Sequence, residues 1–159
     1  MSREPKKPRK CFVLVHLSSI GSYADEGGDA DGLTSDWVMS ARDADRVIVI
    51  DQGWDGRWER KARRELSESM RTKPSVWIAH DEGSDDPDLA SWDRMEDDLV
   101  EALSEARCGS VSVGGLWKDD CVSETVSRLS RRGFSPSVDV DATRGFDDIE
   151  AEDDEDEDE

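Results

Sequence analysis

At 159 residues the chain is one domain's worth of polypeptide, 38% charged and 35% apolar, and 40 acids against 21 bases give a formal charge of −19. Apolar runs such as Phe12 to Val15 fall far short of the roughly 20 residues a bilayer-crossing helix needs, which argues against a membrane protein. The surplus of acid also argues against a nucleic-acid-binding body, since such affinity comes from basic side chains that displace counterions.

Charge and cysteines divide the chain further. Residues 147–159 carry 11 acids and no base, a run that repels itself and buries nothing, so a disordered acidic tail is expected there. Residues 1–10 hold Arg3, Lys6, Lys7, Arg9 and Lys10 with two prolines and read as a disordered basic arm, which leaves residues 11–146 as the folded domain. Without the tail, 29 acids still face 21 bases, and lysine is scarce beside arginine, six against fifteen. Such a surface suits concentrated salt, where screening makes self-repulsion tolerable, and points to a salt-loving archaeal host. No apolar stretch of signal-peptide length follows the basic start. Three well-separated cysteines argue against a disulfide framework, so a reducing, cytoplasmic setting is expected.

In chain order, residues 11–17 (CFVLVHL) open as a strand of nearly continuous apolar character. Residues 26–32 (EGGDADG) lack calcium-loop spacing and read as a flexible turn over the site. A short helix over 34–44 turns Trp37, Val38 and Ala41 inward, and 46–51 (RVIVID) is the second strand. The helix over 57–71 is anchored by Trp58, Ala62, Leu66 and Met70. Its Arg57, Arg60, Lys61, Arg63 and Arg64 read as a solvated face with Glu59 and Glu65 as partners. Residues 75–80 (SVWIAH) form the third strand, with Trp77 expected in the core. The helix over 91–107 starts at a Ser91 cap, aligns Trp92, Met95, Leu99, Leu103 and Ala106, and stops at Gly109. A fourth strand covers 110–114, a helix 119–132 ends at Gly133, and 136–140 is the fifth strand. Strand alternating with helix predicts an α/β fold: a parallel sheet of about five strands, order 3-2-1-4-5, with helices on both faces.

Ligands of such sheets bind beyond the carboxyl ends of the strands. The polar residues there are His16, Asp51, His80 with Asp81, and the turn from Gly114 to Cys121. The chain's two histidines both end strands on this rim. Cys121 falls in the first turn of a predicted helix, where free N–H groups and the helix dipole can lower a thiol pKa from about 8.5 to roughly 3.5–7.5. Asp119 or Asp120 would cap that helix. Cys11 and Cys108 read as structural. Trp54 and Trp117 lie in loops on the same rim and could wall an aromatic pocket.

The stretch VSVGGLWKDDCVSETVSRLSRRGFSPSVDVDAT resembles the nucleophile region of the isochorismatase-like cysteine hydrolases, the superfamily of nicotinamidases and N-carbamoyl amidohydrolases. Gly115, Cys121, Val122, Gly133–Phe134 and Asp141–Ala142 follow that family's spacing, and LASWDRMEDDLVEAL resembles the helix before its nucleophile strand. The resemblance covers roughly residues 11–142. It implies that Cys121 attacks a carbonyl carbon, that a non-proline cis peptide lies near Leu116–Trp117, and that the N–H groups of Trp117 and Cys121 hold the oxyanion. Three positions depart from the family. His16 stands where the base aspartate belongs, His80 or Asp81 where the lysine belongs, and Lys118 where the turn threonine belongs. The ordinary Asp–Lys–Cys triad is therefore missing.

Three readings follow. In a rewired cysteine hydrolase acting on a small molecule, His16 is the base, Asp51 or Asp81 orients it, and His80 or Lys118 steadies substrate charge. In a binding or scaffold protein of the same fold, catalysis has been lost. In a metal site, Cys121, His16 and His80 hold zinc. The first reading needs no metal or other cofactor. The family associates through the helices flanking the nucleophile, so homo-oligomers fit all three.

Overall fold

The computed structural model describes residues 9–53, 55–73, 75–80, 92–145 and 147–149. The expected basic arm up to residue 8 and the expected tail from residue 150 onward lie outside the described residues, as do Ser91, Asp81 and Trp54. Five strands, β1 (Arg9–Val15), β2 (Arg46–Asp51), β3 (Ser75–Ala79), β4 (Cys108–Gly115) and β5 (Pro136–Thr143), form one parallel sheet in the order β3-β2-β1-β4-β5. This is the expected architecture.

Alternation along β1 separates two cores. Phe12 and Leu14 face one side, joined by Val47 and Val49 of β2, and are covered by α1 (Ile20–Asp25), α2 (Ala30–Asp43) and α3 (Arg57–Ser69) through Leu33, Trp37, Ala62 and Leu66. Cys11, Val13 and Val15 face the other side with Ile48 and Ile50. There α4 (Trp92–Ala106) and α5 (Ser123–Arg131) close over them with Met95, Leu99, Leu103 and Leu129. Trp37 is fully buried, and its indole N–H donates to the Ala142 carbonyl at 2.8 Å, which ties α2 to β5.

Several element ends differ from expectation, each for a local reason. The helix expected at 34 begins at Ala30, because the Asp29 side chain accepts the Gly32 N–H at 3.0 Å and caps it. The expected flexible turn over 26–32 is thus only partly a turn. The helix of 91–107 stops at Arg107, whose φ of 56° makes the left-handed bend, and Gly109 belongs to β4. Gly133 does end α5, at φ 95°, with the Phe134 N–H on the Leu129 carbonyl at 3.1 Å.

Two expectations are corrected. Trp77 is not core: β3 is an edge strand, four of its five residues are exposed, and Trp77 is 40% exposed. On the other edge, Val140 of β5 is 76% exposed, so only the three inner strands have both faces covered. The second correction concerns the cysteines. Cys11 and Cys108, 97 positions apart in sequence, are joined by a disulfide with a Cα–Cα distance of 5.8 Å. Their sequence separation concealed the pairing; β1 and β4 are neighbours, and the register brings their amino-terminal ends side by side. Cys121 is the cysteine outside that bond.

A cross-link closing so long a loop restricts the unfolded chain strongly. Unreduced, denatured protein is expected to titrate with one thiol per chain and reduced protein with three. Reduction is expected to cost about 2–5 kcal/mol in urea unfolding. Three thiols without reductant would overturn the pairing.

Candidate functional site

The carboxyl ends of β1 to β4 lie along one rim. Val15 pairs with Ile50 of β2 on one side and Gly115 of β4 on the other, and Asp51 pairs with Ala79 of β3. His16 and His80 are the next residues after β1 and β3, and the turn that carries Cys121 leaves β4 at the same level. Gly115 is required there: at φ 129°, an added Cβ would stand 2.2 Å from the Val15 carbonyl oxygen.

His16 leaves the strand in a left-handed conformation, φ 55° and ψ 56°, which turns the chain into a short 3-10 helix, Leu17–Ser19. This is why the strand ends before Leu17. The Ser19 N–H donates to the His16 carbonyl at 3.0 Å. Across the gap left by β2, His80 is held by its own N–H on the Asp51 carbonyl at 3.1 Å. The two imidazoles meet directly, His16 Nε2 to His80 Nδ1 at 2.7 Å, with ring centroids 4.8 Å apart. Both are buried.

Trp92, the first residue of α4, packs over both rings, with centroids 4.6 Å from His80 and 5.8 Å from His16. Arg128 of α5 lies over Trp92 at 5.2 Å from the ring centroid, and Glu124, Glu96 and Asp93 hold its guanidinium. Trp92 is thus a cover for the histidines as well as a stripe residue. Burial, and then the second imidazole, disfavour a charged His16. Asp51 opposes them weakly, and the pKa falls to about 3. The His16 Nδ1 atom is buried with no hydrogen-bond partner among the described residues.

The Asp51 carboxylate is bonded to groups other than the His16 ring. It accepts Arg63 Nε at 2.7 Å, Arg63 Nη2 at 3.0 Å, the Gly53 N–H at 2.9 Å and the Ser18 hydroxyl. Burial pushes its pKa up, but these donors outweigh that and hold it below the usual carboxylate range. Arg63 is the residue that sequence reasoning missed, taken as part of a solvated basic face. Among the described residues the ion pairs of that face run to the aspartates Asp31, Asp51 and Asp55, and Glu59 acts on Arg63 electrostatically. The available signal was its place three residues before the buried Leu66.

Cys121 sits in a π-type turn, Lys118–Val122, in which the Val122 N–H reaches the Trp117 carbonyl at 3.1 Å, and α5 follows directly. The residue is 6% exposed and joins the apolar cluster of Val15, Ile50, Met95 and Leu129. Its carbonyl accepts the Thr125 hydroxyl at 2.8 Å. The Leu116–Trp117 peptide bond is cis, where the resemblance placed it. Trp117 meets Tyr23 edge-on with centroids 5.8 Å apart. Lys118 pairs with Asp147 at 3.0 Å, which raises its pKa and commits its charge to the C-terminal segment.

The structure therefore brings the two imidazoles together and sets Cys121 on the same rim, on the α4/α5 side of the sheet. No three His, Cys, Asp or Glu side chains among the described residues form a group that could hold a metal ion, so the zinc reading for Cys121, His16 and His80 is dropped. A cavity of about 600 Å³ lies elsewhere, between β3 and α4, and includes none of these three residues.

In structure the chain is similar to the nicotinamidase/pyrazinamidase PncA from Bacillus subtilis, with a TM-score of 0.57 and 14% identity over 90% of this chain and 91% of that one. It is also similar to the Escherichia coli YcaC gene product, an octameric hydrolase of unknown specificity, with a TM-score of 0.58 and 15% identity over 96% and 75%. No protein-family model and no curated protein matches the sequence. The chain has the fold of these hydrolases, as the resemblance implied.

The buried imidazoles make the fold acid-sensitive. The unfolded chain binds a proton on His16 near pH 6.5 and the folded one only near 3, so this contribution is complete above about 6.5 and is lost as pH falls toward 3. Between pH 7 and pH 5 the protein is expected to lose roughly 2 kcal/mol more in urea unfolding than His16→Gln does. Equal losses would sink the assignment.

Proposed function

We propose that the chain is a divergent isochorismatase-like cysteine hydrolase that cleaves a small amide or related C–N bond through a thioester on Cys121. The observation that supports it is the joint placement of a bonded imidazole pair and the Cys121 turn at the carboxyl rim, on strands held in register at Val15 and Gly115.

In this reading the Cys121 sulfur attacks the carbonyl carbon, and the thiol proton passes to the histidine pair. Two neutral imidazoles sharing one hydrogen bond have one bare outer nitrogen. It is His16 Nδ1 when His16 donates to His80, and His80 Nε2 when the donation is reversed. A pKa of about 3 makes His16 a weak acceptor, so proton transfer accompanies C–S bond formation rather than preceding it. The tetrahedral oxyanion is held by the N–H groups of Trp117 and Cys121, as the resemblance implies. The protonated pair then gives its proton to the leaving nitrogen. Water, deprotonated by the same pair, releases the acid and restores the thiol. His80 serves as the outer half of the base. Lys118, paired with Asp147, steadies the turn, and Asp51 acts on the site through its loop rather than on the ring. Asp81 keeps the orienting role the sequence suggests for it.

A second reading, a non-catalytic binding or scaffold protein, is favoured by the packing of Trp92 over both rings and by a cavity that lies away from Cys121. In either reading the surface charge is proposed as an adaptation to concentrated salt, and the cytoplasm as the compartment that keeps the Cys121 thiol reduced. No helix among the described residues is long and apolar enough to cross a membrane. We also propose assembly into homo-oligomers, in line with the octamer described for YcaC.

Iodoacetamide labelling against pH separates the readings. As a nucleophile, Cys121 is expected to be alkylated by pH 8 and to be protected by small primary amides such as nicotinamide. Amide hydrolysis by the wild type is expected to fall at least about a thousandfold in Cys121→Ser, the scale of losing a covalent nucleophile. A thiol that stays inert at pH 8, with no hydrolysis across a panel of amides, sinks the hydrolase and leaves the binding protein.

A further inference from the structure

His16 is placed by its loop. Ser18, two residues on, is fully buried and donates its hydroxyl to Asp51 Oδ1, while Arg63 Nη2 reaches the same hydroxyl oxygen at 3.0 Å. Arg63 comes from α3 and grips both Asp51 oxygens, Nε to Oδ2 at 2.7 Å and Nη2 to Oδ1 at 3.0 Å. The next residue repeats the attachment: the Ser19 hydroxyl donates to Gln52 Oε1 at 3.0 Å. Two consecutive residues after His16 are thus fastened to two consecutive residues at the end of β2. The Arg63 side chain is only 24% exposed and that of Asp51 14%, so this ion pair is poorly screened. A planar guanidinium presents its donors to a carboxylate and a hydroxyl in a fixed fork, whereas an ammonium is a point charge on a flexible stem.

We propose that Arg63 is a positioning residue for the imidazole pair: through Asp51 and Ser18 it clamps residues 16–19 so that His16 Nε2 stays on His80 Nδ1. The left-handed backbone of His16 is uncommon for a residue with a Cβ and persists where its surroundings over-determine it. The clamp is the polar part of those surroundings. Arg63 acts through Asp51 and the Ser18 hydroxyl. The importance of the clamp for hydrolysis rests on the proposed function above, but its effect on the rings does not.

The chain has two histidines, so their imidazole proton NMR signals can be followed one by one against pH, with His16→Gln assigning them. Wild-type His16 is expected to stay neutral down to pH 5. In Arg63→Gln its midpoint is expected to rise by at least about one pH unit toward the free value near 6.5 as the ring loosens from its partner. Ser18→Ala, which leaves the Asp51–Arg63 pair intact, is expected to shift it in the same direction. Arg63→Lys keeps the charge and loses the fork, and is expected to behave like Arg63→Gln. Arg60→Gln, at an exposed pair with Asp55, is expected to match the wild type. A folded Arg63→Gln or Ser18→Ala protein with an unmoved His16 signal overturns the clamp, and so does full rescue by Arg63→Lys. Should Arg63→Gln not fold, Ser18→Ala decides. The readout needs no catalysis, so a failed clamp and a failed hydrolase are told apart.

Discussion

A buried imidazole needs a partner for its ring nitrogens, because burying it without one costs a few kcal/mol. His16 Nε2 and His80 Nδ1 meet that need for each other, and the arrangement of the rim follows from it. Once the rings touch at 2.7 Å, β1 and β3 must end at the same height although β2 runs between them. The loop after β1 must turn sharply, and an aromatic side chain must close the apolar side. The left-handed His16, the Ser18–Asp51–Arg63 clamp and the Trp92 cover are the local answers to those three demands.

The same rim disfavours a carboxylate at position 16. An aspartate at position 16 would place a charge between Trp92 and the α4 core, beside an Asp51 already saturated by Arg63, Gly53 and Ser18. Two neutral imidazoles put proton-accepting capacity in that space without a resting charge. The charge of the region is kept outside, where Arg128 and Arg132 bind Glu96, Asp93, Asp97 and Glu124 across α4 and α5. Singly, such exposed pairs contribute little, but here they form a network joining the two helices that flank Cys121.

Elsewhere the strongly acidic surface is organised by arginine and lysine that reach aspartates far away in sequence. Arg144 holds Asp36, Lys61 holds Asp31, and Lys10 holds Asp43. Lys118 and Asp147 do the same at the candidate site, bringing the segment after β5 against the turn that carries Cys121. Arg63, Arg128 and Arg132 likewise tie one element to another.

Patterning in the sequence determined the parallel sheet and its order, since buried strands read as apolar runs and the helices between them repeat every three to four residues. It also carried the rim position of His16, His80 and Cys121, because each follows a strand, and the cis bond at Leu116–Trp117 through the spacing of the family motif. What only the tertiary structure decided are relations between segments far apart in the chain. Cys11 meets Cys108 across 97 residues, His16 meets His80 across the width of β2, and Arg63 binds Asp51 and Ser18. Trp77 shows the same limit from the other side: its strand reads as buried, and only the place of β3 at the sheet's edge exposes it. Local patterning reports which face of an element is apolar, whereas contacts of this kind depend on which elements become neighbours and at what height their ends meet.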